Sequence, residues 1–294
     1  MWFKRKNWVD KLLEEDGHIV VLGTTGSGKT NTAKFLTLHA LSKEFKVMII
    51  DWRGEYLDLP LRSLKPRISY EFVKDNLPGI LSAVERPSSG GVALEAAVEE
   101  CIDSCSGWGE LIGNLQRRSD VGRDLGARAA YRRLLPLYRR RVLTDNVQPI
   151  YLNAIYDLSG LPIHARRLAQ GLLLAALYGQ LVSKKSRDRL LLVVEEARHQ
   201  YQAERPTTII EDLLDEVRYY GVKAVIIDQN FREKYLQHTM IIHNLAGAST
   251  YIAYRYLIPI PHLKLGEAVM YKGGKVRKIK IPKVTPKRAE HTVI

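Results

Sequence analysis

The sequence predicts an α/β fold with a mostly parallel sheet, and the order of its apolar runs carries that prediction. Residues 18–23 form a short apolar run that ends in glycine, as many buried strands do. Residues 29–41 follow with helical spacing, and residues 46–51 form a second short apolar run. A strand, a glycine turn, a helix and a strand in this order are typical of a parallel β-α-β unit.

The same pattern returns in the second half of the chain. Further helices are predicted over residues 164–182 and 209–220, and further strands over residues 149–158, 189–194, 222–227 and 249–254. Residues 267–281 alternate around a Gly-Gly pair, which indicates a C-terminal β-hairpin. We therefore expect residues 1–294 to fold as a single α/β domain.

Residues 60–147 differ from both flanking parts. Helical spacing of apolar residues is found over residues 71–84, 92–105 and 128–142, and prolines punctuate the stretch. We expect this part to be a helical insertion within the α/β core and not a separate domain.

The composition excludes several classes of protein. Hydrophobic residues make up 46% of the 294 residues, which is enough to bury a sizeable core. Two cysteines cannot form a disulfide scaffold, so we expect an intracellular, cytoplasmic protein. The longest apolar stretches have the length of strands, so no membrane insertion is expected.

Positive charge is concentrated in two segments. The formal net charge is +13, and residues 117–141 carry nine Arg against two Asp, a net +7. Residues 264–294 carry nine Lys or Arg against two Glu, again +7, which leaves −1 for the remainder. Concentrated positive charge favours a polyanionic partner such as nucleic acid. The alternatives are a solvated basic surface, or arginines that pair with acids on a neighbouring subunit.

One loop carries the pattern G-x-x-x-x-G-K-[ST] in full: Gly23, Thr24, Thr25, Gly26, Ser27, Gly28, Lys29 and Thr30. It lies between a predicted strand and a predicted helix, so its backbone N–H groups and the helix N-terminus would face phosphate oxygens. Lys29 would contact the β- and γ-phosphates of ATP, and the Thr30 hydroxyl would bind Mg²⁺. Asn31 directly follows and is counted among the nucleotide-binding residues.

Two carboxylates follow the apolar run 190–194. Ligands of open parallel sheets lie at the carboxyl ends of the strands, where Glu195 and Glu196 are expected. Glu195 would hold the hydration shell of Mg²⁺, and Glu196 would orient and polarise the attacking water. The alternative is an ordinary first turn of a helix, where glutamate is common. Residues 46–51 lie between the loop and the acids in the sequence. This order, with at least one strand inserted spatially between the loop strand and the acidic strand, is typical of RecA-like P-loop ATPases.

Six further segments resemble the HerA/FtsK superfamily of DNA-translocating ATPases, and the archaeal HerA proteins most. Their patterns are similar to D-x-x-G-E-Y, D-L-S-G, V-x-E-E-A-H, E-x-R-K-[FY]-G, [ST]-Q-[RN] and L-x-x-G-E-A. They occupy residues 50–56, 156–161, 194–197, 216–222, 228–230 and 265–269. The resemblance covers most of residues 16–284, except for the helical insertion.

The resemblance implies ATP-driven movement of double-stranded DNA through a homo-oligomeric ring, taken here as a hexamer. Genome packaging, DNA transfer and end processing are the processes it suggests, with a nuclease or a capsid as a further partner. An alternative of another class is a nucleotide-dependent switch or assembly protein that acts on a protein partner.

The resemblance also implies roles for single residues. Arg218 would be the arginine finger that reaches the γ-phosphate of a neighbouring subunit; the alternative is a surface arginine. Gln229 would be a polar sensor of the γ-phosphate, with a structural cap as the alternative. Asp51 lies at a strand tip near the phosphates, and Glu55 follows it on the same turn, where it could instead be solvated.

The sequence departs from the family pattern at three places. Arg198 occupies the position of the family's histidine, and His199 comes one place late. Asp228 replaces a small hydroxyl residue, and a second acid near phosphates is unfavourable unless it points away. The stretch before Gly23 is too short for the N-terminal β-barrel of HerA, so we expect a motor domain without it.

Overall fold

The computed structural model describes residues 8–83, 89–184, 189–197, 209–256, 258 and 263–285. Within these residues the strands are β1 Ile19–Leu22, β2 Lys46–Asp51, β3 Arg62–Leu64, β4 Ile68–Ser69, β5 Leu143–Thr144, β6 Ala154–Asp157, β7 Leu190–Val194, β8 Val222–Asp228, β9 Thr239–Ile242, β10 Glu267–Lys272 and β11 Lys275–Lys280. The α-helices are α1 Trp8–Glu14, α2 Lys29–Ser42, α3 Leu77–Ala83, α4 Ser89–Ile102, α5 Trp108–Val121, α6 Leu125–Arg139, α7 Ile163–Lys184, α8 Ile209–Val217 and α9 Ala248–Arg255.

The central sheet is mostly parallel, as predicted. Its order is β11-β10-β9-β1-β8-β7-β2-β6-β3, and every pair from β9 to β3 is parallel. β8 lies between β1 and β7, so one strand separates the phosphate-loop strand from the acidic strand, which is the predicted RecA-like arrangement. The fold class predicted from the sequence is confirmed.

Both faces of the sheet are covered, which explains why its strands are continuous apolar runs instead of alternating ones. On β1, Ile19 and Val21 lie in the core that α1 and α2 close. Val20 and Leu22 point to the opposite face, into the larger core that α3 to α8 cover. The sheet is thereby held between two helical layers, and its carboxyl edge is fixed in place.

The C-terminal hairpin is formed by β10 and β11, and β10 joins the sheet antiparallel to β9. Gly273 and Gly274 connect the two strands with φ angles of 51° and 80°. Positive φ at both central residues of a two-residue loop is the geometry that glycine tolerates best, and it matches the strand twist. The predicted hairpin is confirmed.

The region 60–147 is largely helical but begins with strands. β3 joins the main sheet beside β6, and β4 pairs with β5. The predicted helix over 71–84 is an α-helix only from Leu77, because 3-10 turns at Tyr70–Phe72 and Lys74–Asn76 precede it. α6 begins earlier than predicted, where Asp124 accepts the backbone N–H of Ala127 and caps the helix. That this region is an insertion within one domain stays a prediction.

The predicted strand over residues 249–254 is wrong, because these residues lie in α9. Gly247 has a left-handed φ of 59°, and its carbonyl accepts the N–H groups of Thr250 and Tyr251, which starts the helix. The strand that flanks β1 on this side is instead β9, which the sequence analysis did not predict.

No helix among the described residues combines the length and the apolar character that crossing a bilayer needs.

Candidate nucleotide-binding site

The carboxyl ends of the strands form a cleft that brings the phosphate loop and the acidic strand end together. It is lined by Thr25, Gly26, Lys29, Thr30, Arg53, Glu55, Glu195, Glu196, Ile227, Asp228 and Gln229. The four strands that supply these residues are neighbours, β1, β8, β7 and β2. Lys29 and Glu196 therefore share one cleft, as the sequence analysis expected.

The phosphate loop has the backbone that its glycines permit. Gly26 and Gly28 have φ angles of 76° and 107°, which side chains other than glycine's rarely adopt. A Cβ on Gly23 would lie 2.8 Å from the Cβ of His243, so the loop also needs the missing side chain there. The N–H of Thr24 donates to the carbonyl of Asn244 at 2.8 Å, which ties the loop to the residues after β9.

Lys29 lies at the start of α2 and points back over the loop. Its Nζ donates to the carbonyl oxygen of Thr24 at 2.8 Å. Burial lowers the pKa of Lys29, Glu196 and Glu195 oppose that shift, and the charge of Arg53 adds to it. A partly desolvated ammonium beside backbone N–H groups is suited to bind phosphate oxygens.

Thr30, Glu55 and Glu195 form an oxygen-rich corner of the cleft. The Thr30 hydroxyl donates to Oε2 of Glu55 at 2.7 Å, and the N–H of Trp52 donates to Oε2 of Glu195 at 3.2 Å. Burial, together with the nearby charges of Asp51 and Glu55, raises the pKa of Glu195 to about 9.

Crowded oxygen ligands of this kind fit a hard cation such as Mg²⁺, whose charge would offset the repulsion. No group of three His, Cys, Asp or Glu in the described parts of the chain could hold a metal by itself. A magnesium ion here would therefore take further ligands from nucleotide phosphates, as Mg²⁺ commonly does. Thr30, Glu55 and Glu195 are the residues that could hold it.

Glu196 is the second residue after β7 and has a left-handed backbone conformation, with φ of 52°. In a regular strand Glu195 and Glu196 would point to opposite faces of the sheet. The left-handed residue breaks that alternation, which explains how both carboxylates line one cleft. Its Oε1 accepts a hydrogen bond from Nη2 of Arg53 at 2.6 Å and one from Nε2 of Gln229 at 3.3 Å.

Asp51 anchors the turn after β2 and does not line the cleft. Its Oδ1 accepts the backbone N–H groups of Arg53, Gly54 and Glu55 at 2.8–3.1 Å, and its Oδ2 accepts that of Tyr56 at 3.0 Å. Four backbone donors on one buried carboxylate fix the path of residues 52–56. Asp51 thereby positions Arg53 and Glu55, which do reach the cleft.

Two other predicted residues lie outside the cleft. Asn31 donates from Nδ2 to the carbonyl of Pro282 and accepts the N–H of Val284 at Oδ1, so it binds the segment after the hairpin. Arg218 begins a 3-10 turn that precedes β8, so it lies at the amino ends of the strands and is exposed. It cannot act in the cleft of its own chain without a large displacement.

Asp228 lines the cleft, but both of its carboxylate oxygens accept hydrogen bonds from neighbouring groups. Its Oδ2 accepts the hydroxyl of Tyr235 at 2.6 Å and lies 3.4 Å from Nε of Arg232. Its Oδ1 accepts the N–H of Asn230 at 3.0 Å. Gln229 follows it and lines the cleft beside Glu196. Arg198 and His199 lie outside the described residues.

Residues 9–82 match the family model of the HerA helicase central domain. We call these residues the HerA segment; it contains the phosphate loop, β2 and the turn after β2. The predicted resemblance to HerA is confirmed for the segment. A comparison with curated proteins gave no match.

Solved structures extend the similarity of fold beyond the HerA segment. VirB4 of Thermoanaerobacter pseudethanolicus superposes with a TM-score of 0.68 at 17% identity, over 93% of this chain and 92% of that one. The unbound bacterial conjugative coupling protein TrwBdeltaN70 gives 0.62 at 13% identity, over 96% and 93% of the two chains. The plasmid coupling protein TrwB in complex with ADP and Mg²⁺ gives 0.58 at 13% identity, over 93% and 87%. The chain thus has the fold of these proteins.

Two residues of the cleft region were not singled out in the sequence. Arg53 lies inside the HerA segment, but its position in D-x-x-G-E-Y is a variable one, so the pattern gave no reason to select it. His243 follows β9, packs under Gly23 and lies 2.8 Å from the Thr32 hydroxyl through Nε2. Burial lowers its pKa to about 4, so it is a neutral support of the loop near pH 7. Neither contact could be predicted from the sequence. The contact of His243 depends on β9, which was not predicted, and the contact of Arg53 depends on the turn after β2.

Proposed function

We propose that this protein is a Mg²⁺-dependent ATP hydrolase that moves double-stranded DNA through a ring of identical subunits, in the cytoplasm where ATP and DNA meet. The observation that carries the proposal is the convergence of Lys29 and Glu196 on one cleft at the carboxyl edge of the sheet. A phosphate cradle and a buried carboxylate next to it are the two parts that hydrolysis of a phosphoanhydride needs.

The residues divide the work of hydrolysis between them. The N–H groups of residues 24–30 and the ammonium of Lys29 bind the β- and γ-phosphates. Mg²⁺, held by Thr30 and Glu195, would neutralise charge on the phosphate oxygens when bound. Glu196 accepts the proton of a water whose oxygen attacks the γ-phosphorus, and the bond to the oxygen of ADP breaks. Gln229 orients Glu196 and the water from the end of β8.

The named relatives support ATP, Mg²⁺ and DNA as ligands. TrwB binds ADP and Mg²⁺ and is a plasmid coupling protein, and the HerA segment matches a helicase family. We infer a hexameric ring in which Arg218 of one subunit completes the cleft of the next, with a nuclease or a capsid as a further partner. The chain would act as one RecA-like domain with residues 60–147 inserted into it.

The exposed basic side chains support DNA as the partner. Arg132, Arg139, Arg140 and Arg141 are exposed on α6 and the residues after it. The hairpin exposes a second group, Lys272, Lys275, Arg277 and Lys278. Lysine and arginine side chains bind DNA phosphates without regard to sequence, and that binding weakens as salt rises.

The test is steady-state ATP hydrolysis by the purified protein with and without duplex DNA. Wild type should hydrolyse ATP, Lys29→Ala should lose binding and turnover, and Glu196→Gln should bind ATP with turnover reduced by about a thousandfold. Retained hydrolysis by Glu196→Gln would exclude Glu196 as the proton acceptor. Arg62→Ala, an exposed arginine on the sheet edge far from this cleft, is the matched control.

The same assay separates the motor from the alternative of a nucleotide-dependent switch. Duplex DNA should raise the ATPase rate of a translocase, and the stimulation should fall steeply as salt rises because phosphate contacts are screened. A rate that DNA does not change at low salt would contradict the motor and favour a protein partner.

A further inference from the structure

The turn of residues 52–56, named here the β2 turn, sends two side chains into the nucleotide cleft. Glu55 accepts the hydroxyl of Thr30, and Arg53 donates to the carboxylate of Glu196. The four backbone bonds to Asp51 hold the β2 turn rigidly, so both side chains start from a fixed base. This turn thus binds both the residue suited to hold the metal and the residue suited to activate water.

The contact between Arg53 and Glu196 joins a partly exposed side chain to a buried one. The Nη2–Oε1 distance is 2.6 Å, and the side chains are 42% and 8% exposed. Charge-assisted hydrogen bonds of this length are strong, and they occupy the oxygen that accepts them. Nε2 of Gln229 donates to the same oxygen, so while both bonds persist the two lone pairs of Oε1 are taken and that oxygen is not available to a water molecule.

Arg53 also lies near the phosphate-binding lysine. Its charge is one of the effects that lower the pKa of Lys29, although burial is the larger one. Both residues line the same cleft with Thr25 and Gly26 of the phosphate loop. Two cations side by side favour a group with more negative charge than one carboxylate, and guanidinium groups match phosphate oxygens in geometry.

We propose that Arg53 exchanges Glu196 for the terminal phosphate of a bound nucleoside triphosphate, and so releases Glu196 only when the substrate is in place. This inference rests on the proposed ATP site and adds a γ-phosphate contact from the same chain, separate from Arg218. ADP lacks the group that competes for Arg53, so the ion pair with Glu196 re-forms after hydrolysis. Whether Glu196 is paired with Arg53 thereby depends on which nucleotide is bound.

The first test is nucleotide affinity in EDTA, where hydrolysis does not occur, with fluorescent mant-ATP and mant-ADP as probes. Arg53→Ala should weaken mant-ATP binding by about tenfold, one charge-assisted contact, and change mant-ADP binding by less than about twofold. Arg62→Ala should change neither. Equal losses for the two nucleotides would overturn the inference, because a purely structural role of Arg53 does not distinguish them.

The second test measures the competition through a double-mutant cycle. Glu196→Gln removes a negative charge that repels ATP and also frees Arg53, so it should tighten mant-ATP binding. In the Arg53→Ala background only the first effect remains, so the tightening should be smaller by about threefold or more. The same tightening factor in both backgrounds would contradict exchange of Arg53 between the two partners.

The proposed function and this inference fail in different ways. If Lys29→Ala binds mant-ATP as tightly as wild type, the proposed nucleotide site is wrong. If Lys29→Ala loses binding and Arg53→Ala does not distinguish mant-ATP from mant-ADP, the site stands and only the role of Arg53 is wrong.

Discussion

His18, at the start of β1, is a buried histidine whose two ring nitrogens both have partners. Its Nε2 lies 2.6 Å from the carbonyl oxygen of Leu214, and its Nδ1 accepts the N–H of Ala224 at 3.1 Å. These partners require the neutral ring with the proton on Nε2. Burial lowers the pKa of His18 to about 4, and the charges of His238, Arg218 and Lys223 act in the same direction.

The fold should therefore lose stability in mild acid. The unfolded state binds the proton more tightly, so the contribution of His18 is complete above pH 6.5 and is lost as the pH falls towards 4. His18→Gln, which keeps a donor near Leu214, should remove about 2 kcal/mol of the stability change between pH 7.5 and pH 5. Urea unfolding of wild type and variant at pH 7.5 and at pH 5 gives the free energy of unfolding at each pH. His243 contributes with the same sign and remains in the variant. An unchanged pH slope in His18→Gln would contradict this account.

Single residues of the cleft were predictable where a local pattern fixes their chemistry. The loop from Gly23 to Thr30 needs only its own glycines and the helix that follows, so its placement was read from the sequence. The partners of Arg53 and His243 come from residues more than a hundred positions away. Such contacts depend on strand order and on the left-handed backbone of Glu196, which local patterns do not specify.

At the scale of elements, α4 and α6 approach so closely that only glycine fits between them. A Cβ on Gly126, in the first turn of α6, would overlap the carbonyl oxygen of Ala93 in α4. Gly113 in the middle of α5 has open space around it. The two glycines are thus a matched pair, one required by packing and one not.

Alanine substitutions at these glycines should have opposite effects on stability. Gly126→Ala should destabilise the protein by about 1–3 kcal/mol because α4 must move away. Gly113→Ala should stabilise it by about 0.5–1 kcal/mol, since alanine restricts the unfolded chain and favours the helix. Thermal unfolding followed by circular dichroism compares both with wild type. Similar shifts in the two variants would contradict the close packing of α4 on α6.

Elements with strong periodicity and clear boundaries were predicted, and elements set by tertiary context were not. β1, β2, β7 and β8 are apolar runs buried on both faces, which is why they were recognised. β9 is placed in the sheet by its pairing with β1 and β10, which the sequence pattern does not show. Residues 249–254 of α9 were predicted as a short buried strand, but Gly247 and the backbone bonds to it favour a helix.

At the scale of the whole molecule, the cleft lies at the carboxyl ends of the strands and Arg218 lies at their amino ends. The cleft is at the carboxyl end of β8, and Arg218 precedes the amino end of the same strand. A head-to-tail ring brings such opposite edges together, because each subunit presents one surface to the neighbour before it and another to the neighbour after it. The position of Arg218 is therefore compatible with the proposed finger only in an assembly.

Mixing two inactive variants tests whether Arg218 acts on the neighbouring subunit. Arg218→Ala and Lys29→Ala should each lose most ATPase activity, by about a thousandfold for the finger. In rings assembled from an equal mixture, an interface is complete when an Arg218→Ala subunit supplies the cleft and a Lys29→Ala subunit supplies the arginine. Random assembly makes about a quarter of the interfaces complete, so about a quarter of the wild-type rate should return. A mixture of Arg218→Ala with the Lys29→Ala, Arg218→Ala double variant has no such interface and should stay inactive. If the first mixture is equally inactive although mixed rings form, Arg218 does not complete a neighbour's cleft. Arg218 is then a surface arginine without a role in hydrolysis.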